Sequence, residues 1–282
     1  MSFHTDNPAA IFPLAGASRR RRRLIVMNAA QHSAAAPPSI PRSSRRPAAP
    51  RLSPHFASGE PLSDAERNIA ERLQSPAPCT WLFAGENYLD AQTERSWPSL
   101  TDRFANALRT RLNRPQDIVV DAARRGGALQ DVLSDLDSRI IRRRPDVILL
   151  HCGFNESSAD SSEITTFESN LLTIARICRA HGVQLVLSTC PVPVRSDDDP
   201  AAIHQLVYNE AVRAIAAEWE LPIVDHSHEW EHFAIHPGLA GSWFESDAPV
   251  PGAIGHARLC ESLLAEISIW QAAVAPSSPR PV

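Results

Sequence analysis

The chain has 282 residues, of which 43% are hydrophobic, and it carries a formal net charge of −4 at pH 7. This length and composition suit one α/β domain with a tail, and no stretch approaches the roughly 20 apolar residues of a membrane span. Residues 1–60 hold nine basic residues against the acids Asp6 and Glu60, which leaves 19 basic and 30 acidic residues in the remainder. An acidic body does not favour nucleic-acid binding.

The first 60 residues are rich in Ala, Pro, Ser and Arg and lack a sustained apolar period. Such a segment cannot bury enough apolar surface to offset its ordering entropy, so we predict a disordered tail over residues 1–60. The arginine run at 19–23 precedes apolar residues at 24–27, which are too few for the roughly 7–15 residues of a secretory leader. We expect one domain over residues 61–272 and a second disordered tail over residues 273–282.

The chain has five cysteines, and no two of them form a CxxC pair. Cys152 and Cys190 each end an apolar run, which indicates positions in the core. An odd number of thiols without a pairing motif favours a reducing compartment over a disulfide framework, so we expect a cytoplasmic protein.

From residue 63 onward, apolar runs alternate with segments of helical period. Ser63 followed by Glu66 is an N-cap signal that opens the first helix. Apolar runs predict buried strands, and apolar residues spaced three and four apart predict helices. In chain order we predict a helix at 63–74, a strand at 81–84, a helix at 96–112, a strand at 117–122, a helix at 129–141, a strand at 147–150, a helix at 167–180, a strand at 183–187, a helix at 201–219, a strand at 223–224 and a helix at 253–270. This alternation predicts a three-layer α/β/α fold with a five-stranded parallel sheet.

Ligands of open α/β sheets bind outside the carboxyl ends of the strands, so the residues that follow the strands are the candidate site. Four blocks stand out: Gly85-Glu86-Asn87, Gly126-Gly127, Gly153-Phe154-Asn155-Glu156 and Asp247-Ala248-Pro249-Val250. Each block alone is compatible with an ordinary turn or cap. In this order, at these strand ends, they resemble the SGNH (GDSL-type) ester hydrolases over about residues 80–270.

The resemblance implies a flavodoxin-like topology and ester or acyl hydrolysis. In that family a Ser attacks the acyl carbonyl, a His takes its proton, an Asp orients the His, and a Gly and an Asn help to hold the oxyanion. Matched to this chain, Gly126 takes the place of the oxyanion glycine, Asn155 that of the oxyanion asparagine, and Asp247 that of the orienting acid. Asn87 stands at the Ser position and Val250 at the His position. At two further positions, Glu86 and Glu156, this chain has Glu where the family has the shorter Asp.

The two replacements remove the family's proton chemistry. An amide such as Asn87 has no removable proton at neutral pH and is a poor nucleophile, and Val250 cannot carry a proton. We therefore interpret the chain as a catalytically impaired pseudo-hydrolase that keeps a pocket for a small acyl or glycan ligand, without a cofactor. Two alternatives stay open: an active hydrolase with an unrecognised nucleophile, and a structural or protein-interaction domain whose partner the sequence does not identify.

A second motif, His228-Glu229-Trp230-Glu231-His232, matches H-E-x-x-H. On a helix, His228 and His232 would share a face and could bind zinc with His236 as a third ligand, while Glu229 would act as the base. Because Pro237 limits a helix here, we expect the motif to lack its helical context and the protein to hold no zinc. Asp225 and His228 also read Asp-x-x-His, which we interpret as a coincidence.

Overall fold

The structure, a computed structural model, describes residues 61–86, 97–124, 126–158, 163–192, 200–234, 241–245 and 250–274, with side chains omitted at 231–234 and 241. The predicted tail at 1–60 and most of the predicted tail at 273–282 lie outside these residues. Within them, no helix is long and apolar enough to cross a membrane.

The sheet has five parallel strands in the order β2-β1-β3-β4-β5. In chain order the strands are β1 (Thr80–Gly85), β2 (Ile118–Asp121), β3 (Val147–His151), β4 (Gln184–Ser188) and β5 (Ile223–Val224). This is a doubly wound order, in which β2 is added on one side of β1 and the later strands are added on the other side. Ligands of such sheets bind at this switch point, between β1 and β3. The predicted fold class and topology are confirmed.

Eight α-helices connect and cover the strands in the described part of the chain. They are α1 (Asp64–Gln74), α2 (Leu100–Thr110), α3 (Leu129–Asp135), α4 (Phe154–Ser157), α5 (Ile164–Ala180), α6 (Pro200–Trp219), α7 (His226–Ala234) and α8 (Ala253–Val274). Because α8 extends to Val274, the first two residues of the predicted C-terminal tail are helical.

Two of the helices that differ from the predicted ones do so for an identifiable local reason. Helix α2 begins at Leu100 rather than at 96, because Ser99 accepts the backbone N–H of Asp102 and closes a capping box after Pro98. The helix predicted to run to residue 141 is regular only to Asp135, then continues as a π turn and a 3-10 turn. Local winding of this kind leaves the apolar period intact, so the sequence pattern does not reveal it.

The core lies on both faces of the sheet because successive strand residues point in opposite directions. On one face, alternate strand side chains pack with α1, α2 and α8, and the most completely buried tryptophan is Trp270. On the other face, the remaining strand side chains pack with α3, α5 and α6 around Tyr208. The three central strands β1, β3 and β4 are therefore buried on both faces over most of their length, as the continuous apolar runs predict, whereas the edge strand β2 is exposed at both ends.

A buried ion pair closes the amino-terminal edge of the sheet. Arg114 lies 2.8 Å from Asp117, with side chains 5% and 0% exposed. Asp117 also accepts the backbone N–H of Cys79 at 3.1 Å and the indole N–H of Trp81 at 3.2 Å. These contacts tie the turn before β2 to the start of β1, far from the edge that carries the predicted site.

Candidate active site

The segments that follow β1, β2 and β3 meet at the carboxyl edge of the sheet. Asn155 donates its side-chain N–H to the carbonyl of Gly127 at 2.7 Å and its backbone N–H to Glu86 at 2.8 Å. The backbone N–H of Arg124 donates to the carbonyl of Gly85 at 3.0 Å. Three of the four predicted blocks are therefore brought together as expected from their positions after the strands.

The fourth block is described only at its end. Asn87, at the family's nucleophile position, and Asp247, at the orienting-acid position, lie outside the described residues. Val250, at the base position, is half-buried, and its carbonyl accepts the backbone N–H of Glu245 at 2.9 Å. Pro251 pairs with Phe244 in an antiparallel bridge. Val250 thus lies next to the bridge between Phe244 and Pro251, shortly before the start of α8.

Gly85 allows the backbone at the end of β1 to approach the end of β3 closely. Its φ is +116°, and a Cβ at this position would lie 1.7 Å from the carbonyl oxygen of His151. Both the left-handed backbone and the close approach exclude any side chain here. The glycine of the first block is thus required by geometry.

Gly126 and Asn155, the two residues predicted to hold an oxyanion, both lie on this edge. Gly126 is exposed and has a φ of +68°. Asn155 is half-buried at the start of α4, and one N–H of its amide is committed to Gly127. A carboxamide has two N–H donors, and no described residue engages the second one. The arrangement can therefore still offer an amide donor to a ligand carbonyl.

A buried carboxyl joins the first block to the third. Glu86 is fully buried and accepts backbone N–H groups from Gly153 at 2.5 Å, Phe154 at 2.9 Å and Asn155 at 2.8 Å. Burial raises the pKa of Glu86 well above its usual range, and the neighbouring Glu156 carboxyl raises it further, while the backbone donors act in the opposite direction. The sequence marks Glu86 as a departure from the family but does not reveal these contacts.

Three histidines that the sequence did not single out form a buried group next to this edge. His151 shares a 2.7 Å hydrogen bond with Ser188, and His256 accepts the backbone N–H of Leu100 at 2.9 Å. The rings of His151 and His226 lie 6.2 Å apart, and all three histidines are at most 1% exposed. Burial lowers the pKa of His226 to about 4 and that of His151 well below its usual value.

These imidazoles are enclosed, so none is placed to exchange a proton with a substrate at the surface. His256 in addition holds the first turn of α2 through its Nδ1. The sequence did indicate the burial of His151, because this residue ends the apolar run of β3 and an uncharged imidazole is compatible with a buried strand end. Periodicity alone does not separate a core histidine from a catalytic one.

The H-E-x-x-H segment lies on α7, so the expectation that it lacks a helix is wrong. Glu229 is half-buried, its pKa is raised by burial, and it accepts a hydrogen bond from the Ser262 hydroxyl. The side chain of His232 and all of His236 lie outside the described residues. Among the described side chains, no group of three His, Cys, Asp or Glu is arranged to hold a metal ion.

The second Asp-x-x-His match has a structural explanation. Asp225 pairs with Arg213 at 2.8 Å and accepts the hydroxyl of Thr189 at 2.9 Å. It also accepts the backbone N–H of His228 at 3.1 Å, so it caps the start of α7. Its contacts are with these groups rather than with the His228 ring.

The parallel sheet and the polar site after its first three strands define an SGNH-type α/β protein. The chain belongs to the GDSL-like Lipase/Acylhydrolase family, whose sequence profile matches residues 83–258. A search of curated protein sequences gave no match.

Solved structures with the same fold include acetylxylan esterases. The chain is 18% identical to Axe2 from Geobacillus stearothermophilus over 68% of this chain and 96% of that one, with a TM-score of 0.59. It is 14% identical to the acetyl xylan esterase AlAXEase over 66% of this chain and 98% of that one, with a TM-score of 0.58. At these identities the likeness establishes the fold and not the substrate.

Proposed function

We propose that this protein is a pseudo-hydrolase of the SGNH type, which binds a small acylated ligand at the carboxyl edge of the sheet without hydrolysing it by a serine mechanism. One observation carries the proposal. The two family positions that move a proton hold an amide, Asn87, and an alkyl group, Val250, while the positions that hold a carbonyl oxygen, Gly126 and Asn155, are kept.

The chemistry of such a site is limited to polarising a bound carbonyl. A donor such as the Asn155 amide stabilises negative charge on the carbonyl oxygen, but acyl transfer also needs a nucleophile that loses a proton and a base that accepts it. With those groups removed, serine proteases retain only about 10³–10⁴-fold rate enhancement over water. Binding without useful turnover is the expected result.

An acetylated saccharide is the ligand class that we propose to test first. The solved neighbours are esterases of acetylated xylan by their names, and such a ligand presents an ester carbonyl to the Asn155 amide and hydroxyls to the surrounding polar groups. A structural or protein-interaction role is the competing proposal, and it predicts no saccharide binding.

The test combines a turnover assay with a binding assay on the same preparation. We expect no hydrolysis of short acyl esters, together with calorimetric binding of acetylated xylo-oligosaccharides that is stronger than binding of the deacetylated sugars. Asn155→Ala should abolish this difference. The control, Asn170→Ala on α5, removes an asparagine that bonds to Gln130 outside the site and should leave binding unchanged.

Three outcomes contradict the proposal in different ways. Absence of any difference between acetylated and deacetylated sugars favours the structural role. Turnover blocked by a serine-directed phosphonate, with the label mapped to a serine, shows that the nucleophile lies elsewhere. About one zinc per chain, lost in His232→Ala, establishes the metal-dependent alternative.

Restoring the missing groups tests the family geometry. Asn87→Ser alone should give no activity because no base activates the hydroxyl, whereas Asn87→Ser combined with Val250→His should give a trace of esterase activity. Activity of the single variant equal to that of the double variant would contradict the assignment of Val250 to the base position.

We also propose a cytoplasmic location. All five cysteines are buried and unpaired, which suits a reducing compartment. Cell fractionation of the native producer tests this, and recovery of the protein outside the cell would overturn it.

A further inference from the structure

The carboxyl of Glu86 accepts three backbone N–H groups. Oε1 accepts those of Gly153 and Phe154, and Oε2 accepts that of Asn155. A carboxyl has about four acceptor positions, so one position, on Oε2, is left for a proton or a further donor. The three donors favour a negative charge on this carboxyl, whereas its burial and the neighbouring Glu156 favour a proton.

Only one of the two carboxyl oxygens of Glu156 accepts a hydrogen bond from a described residue. Oε1 accepts the backbone N–H of Leu129 at 2.6 Å, which ties α4 to the first turn of α3. Oε2 is buried and has no hydrogen-bond partner among described donors. The Glu86 carboxyl lies within side-chain hydrogen-bond reach of Glu156. Two ionised carboxylates in contact inside the protein repel strongly, so one of them must carry a proton.

We propose that Glu86 and Glu156, here called the acid pair, share one proton, which is held as an O–H between Oε2 of Glu156 and the Glu86 carboxyl. This O–H satisfies the buried oxygen and removes the repulsion in one step. It joins the segment after β1 to α4, while Oε1 of Glu156 and the Asn155 amide join α4 to the segment after β2. The acid pair is thus a positioning device for Asn155, whether or not the pocket binds a ligand.

A site held by one proton depends on pH. Among the described residues, the other titratable groups facing the pair are the thiols of Cys152, after β3, and Cys190, after β4. Burial raises the pKa of both thiols well above the usual value, so they stay neutral. The pKa of the Glu86 carboxyl, which shares this proton, is raised well above its usual value of 4.5 in the folded protein. The stabilisation is therefore complete below about pH 4.5 and is lost as pH rises through the folded value.

Two conservative variants separate this proposal from a merely structural role. In Glu156→Gln, the amide oxygen accepts from Leu129 and the amide N–H replaces the shared proton, so the network is complete at every pH. In Glu86→Gln, an N–H group must face one of three backbone donors, so the network is broken at every pH. The two substitutions make the same chemical change and are expected to act in opposite directions.

The measurement is the melting temperature of each full-length protein from about pH 5 to pH 9. Relative to wild type, Glu156→Gln should gain stability as pH rises, by roughly 3–5 °C for each pH unit within the titration range. Glu86→Gln should melt below wild type throughout. An infrared band of a protonated carboxyl should be present in wild type at neutral pH and absent in Glu156→Gln.

The proposal is overturned if the melting temperature of Glu156→Gln runs parallel to that of wild type across this range, or lies below it. Absence of the protonated carboxyl band from wild type at neutral pH overturns it independently. If Glu86→Gln does not fold, the pH profile of Glu156→Gln and the infrared band still decide the question.

Discussion

Replacement of His226 by Leu should remove a large part of the acid sensitivity of this fold. The His226 ring is fully buried after β5, and neither ring nitrogen has a hydrogen-bond partner among the described residues. A neutral imidazole carries one donor and one acceptor, and leaving such groups unpaired costs about 1–3 kcal/mol each. Leucine fills the space without these groups, so at neutral pH His226→Leu should be at least as stable as wild type.

The size of the pH effect follows from the protonation of His226. Burial lowers its pKa from 6.5 to about 4, so between these values the unfolded chain binds a proton that the folded protein does not. The stability is present above pH 6.5 and is lost as pH falls toward 4. Each pH unit corresponds to about 1.4 kcal/mol, which gives a loss of about 3 kcal/mol, or roughly 6–12 °C in melting temperature.

The assay is urea or thermal unfolding of wild type and His226→Leu at several pH values from about 4 to 8. The gap between the two proteins should widen in favour of the variant as pH falls. His151→Leu is the matched comparison: it also removes a buried imidazole but breaks the hydrogen bond to Ser188, so it should lose stability at neutral pH. Parallel curves for wild type and His226→Leu would refute the reasoning, because they would mean that His226 is not buried in its neutral form.

Two further substitutions test the positions on which the edges of the sheet depend. Gly85→Ala places a methyl group against the carbonyl of His151 and should cost more than about 4 kcal/mol or prevent folding; a loss below about 1 kcal/mol in urea unfolding would contradict the close approach of β1 and β3. Asp117→Ala leaves the guanidinium of Arg114 buried without its partner and should cost about 3–5 kcal/mol, measured in the same way, and an unchanged unfolding midpoint would contradict the burial of the pair.

The fold could be predicted because its signals are local. A parallel strand buried on both faces leaves an unbroken apolar run, and each of the five runs that we predicted as a strand coincides with one. The departures arise where the apolar period is not what sets the bounds of a helix. Helix α2 begins at Leu100 because Ser99 caps it, and His256 from the other end of the domain accepts the N–H of Leu100. Helix α7 forms although Pro237 follows closely in the sequence.

The sequence predicts which four blocks form the candidate site but not the contacts between them. Which residues follow each strand can be read directly, but the bonds among them join positions 67 to 69 residues apart, and no local pattern encodes them. Glu86 and Glu156 illustrate the difference. Taken singly, each is a carboxylate one methylene longer than the family's Asp, which predicts nothing. Brought together by the crossover from β1 to β3, the two carboxyls compete for a single buried space, and this competition makes the proton between them a requirement of the fold.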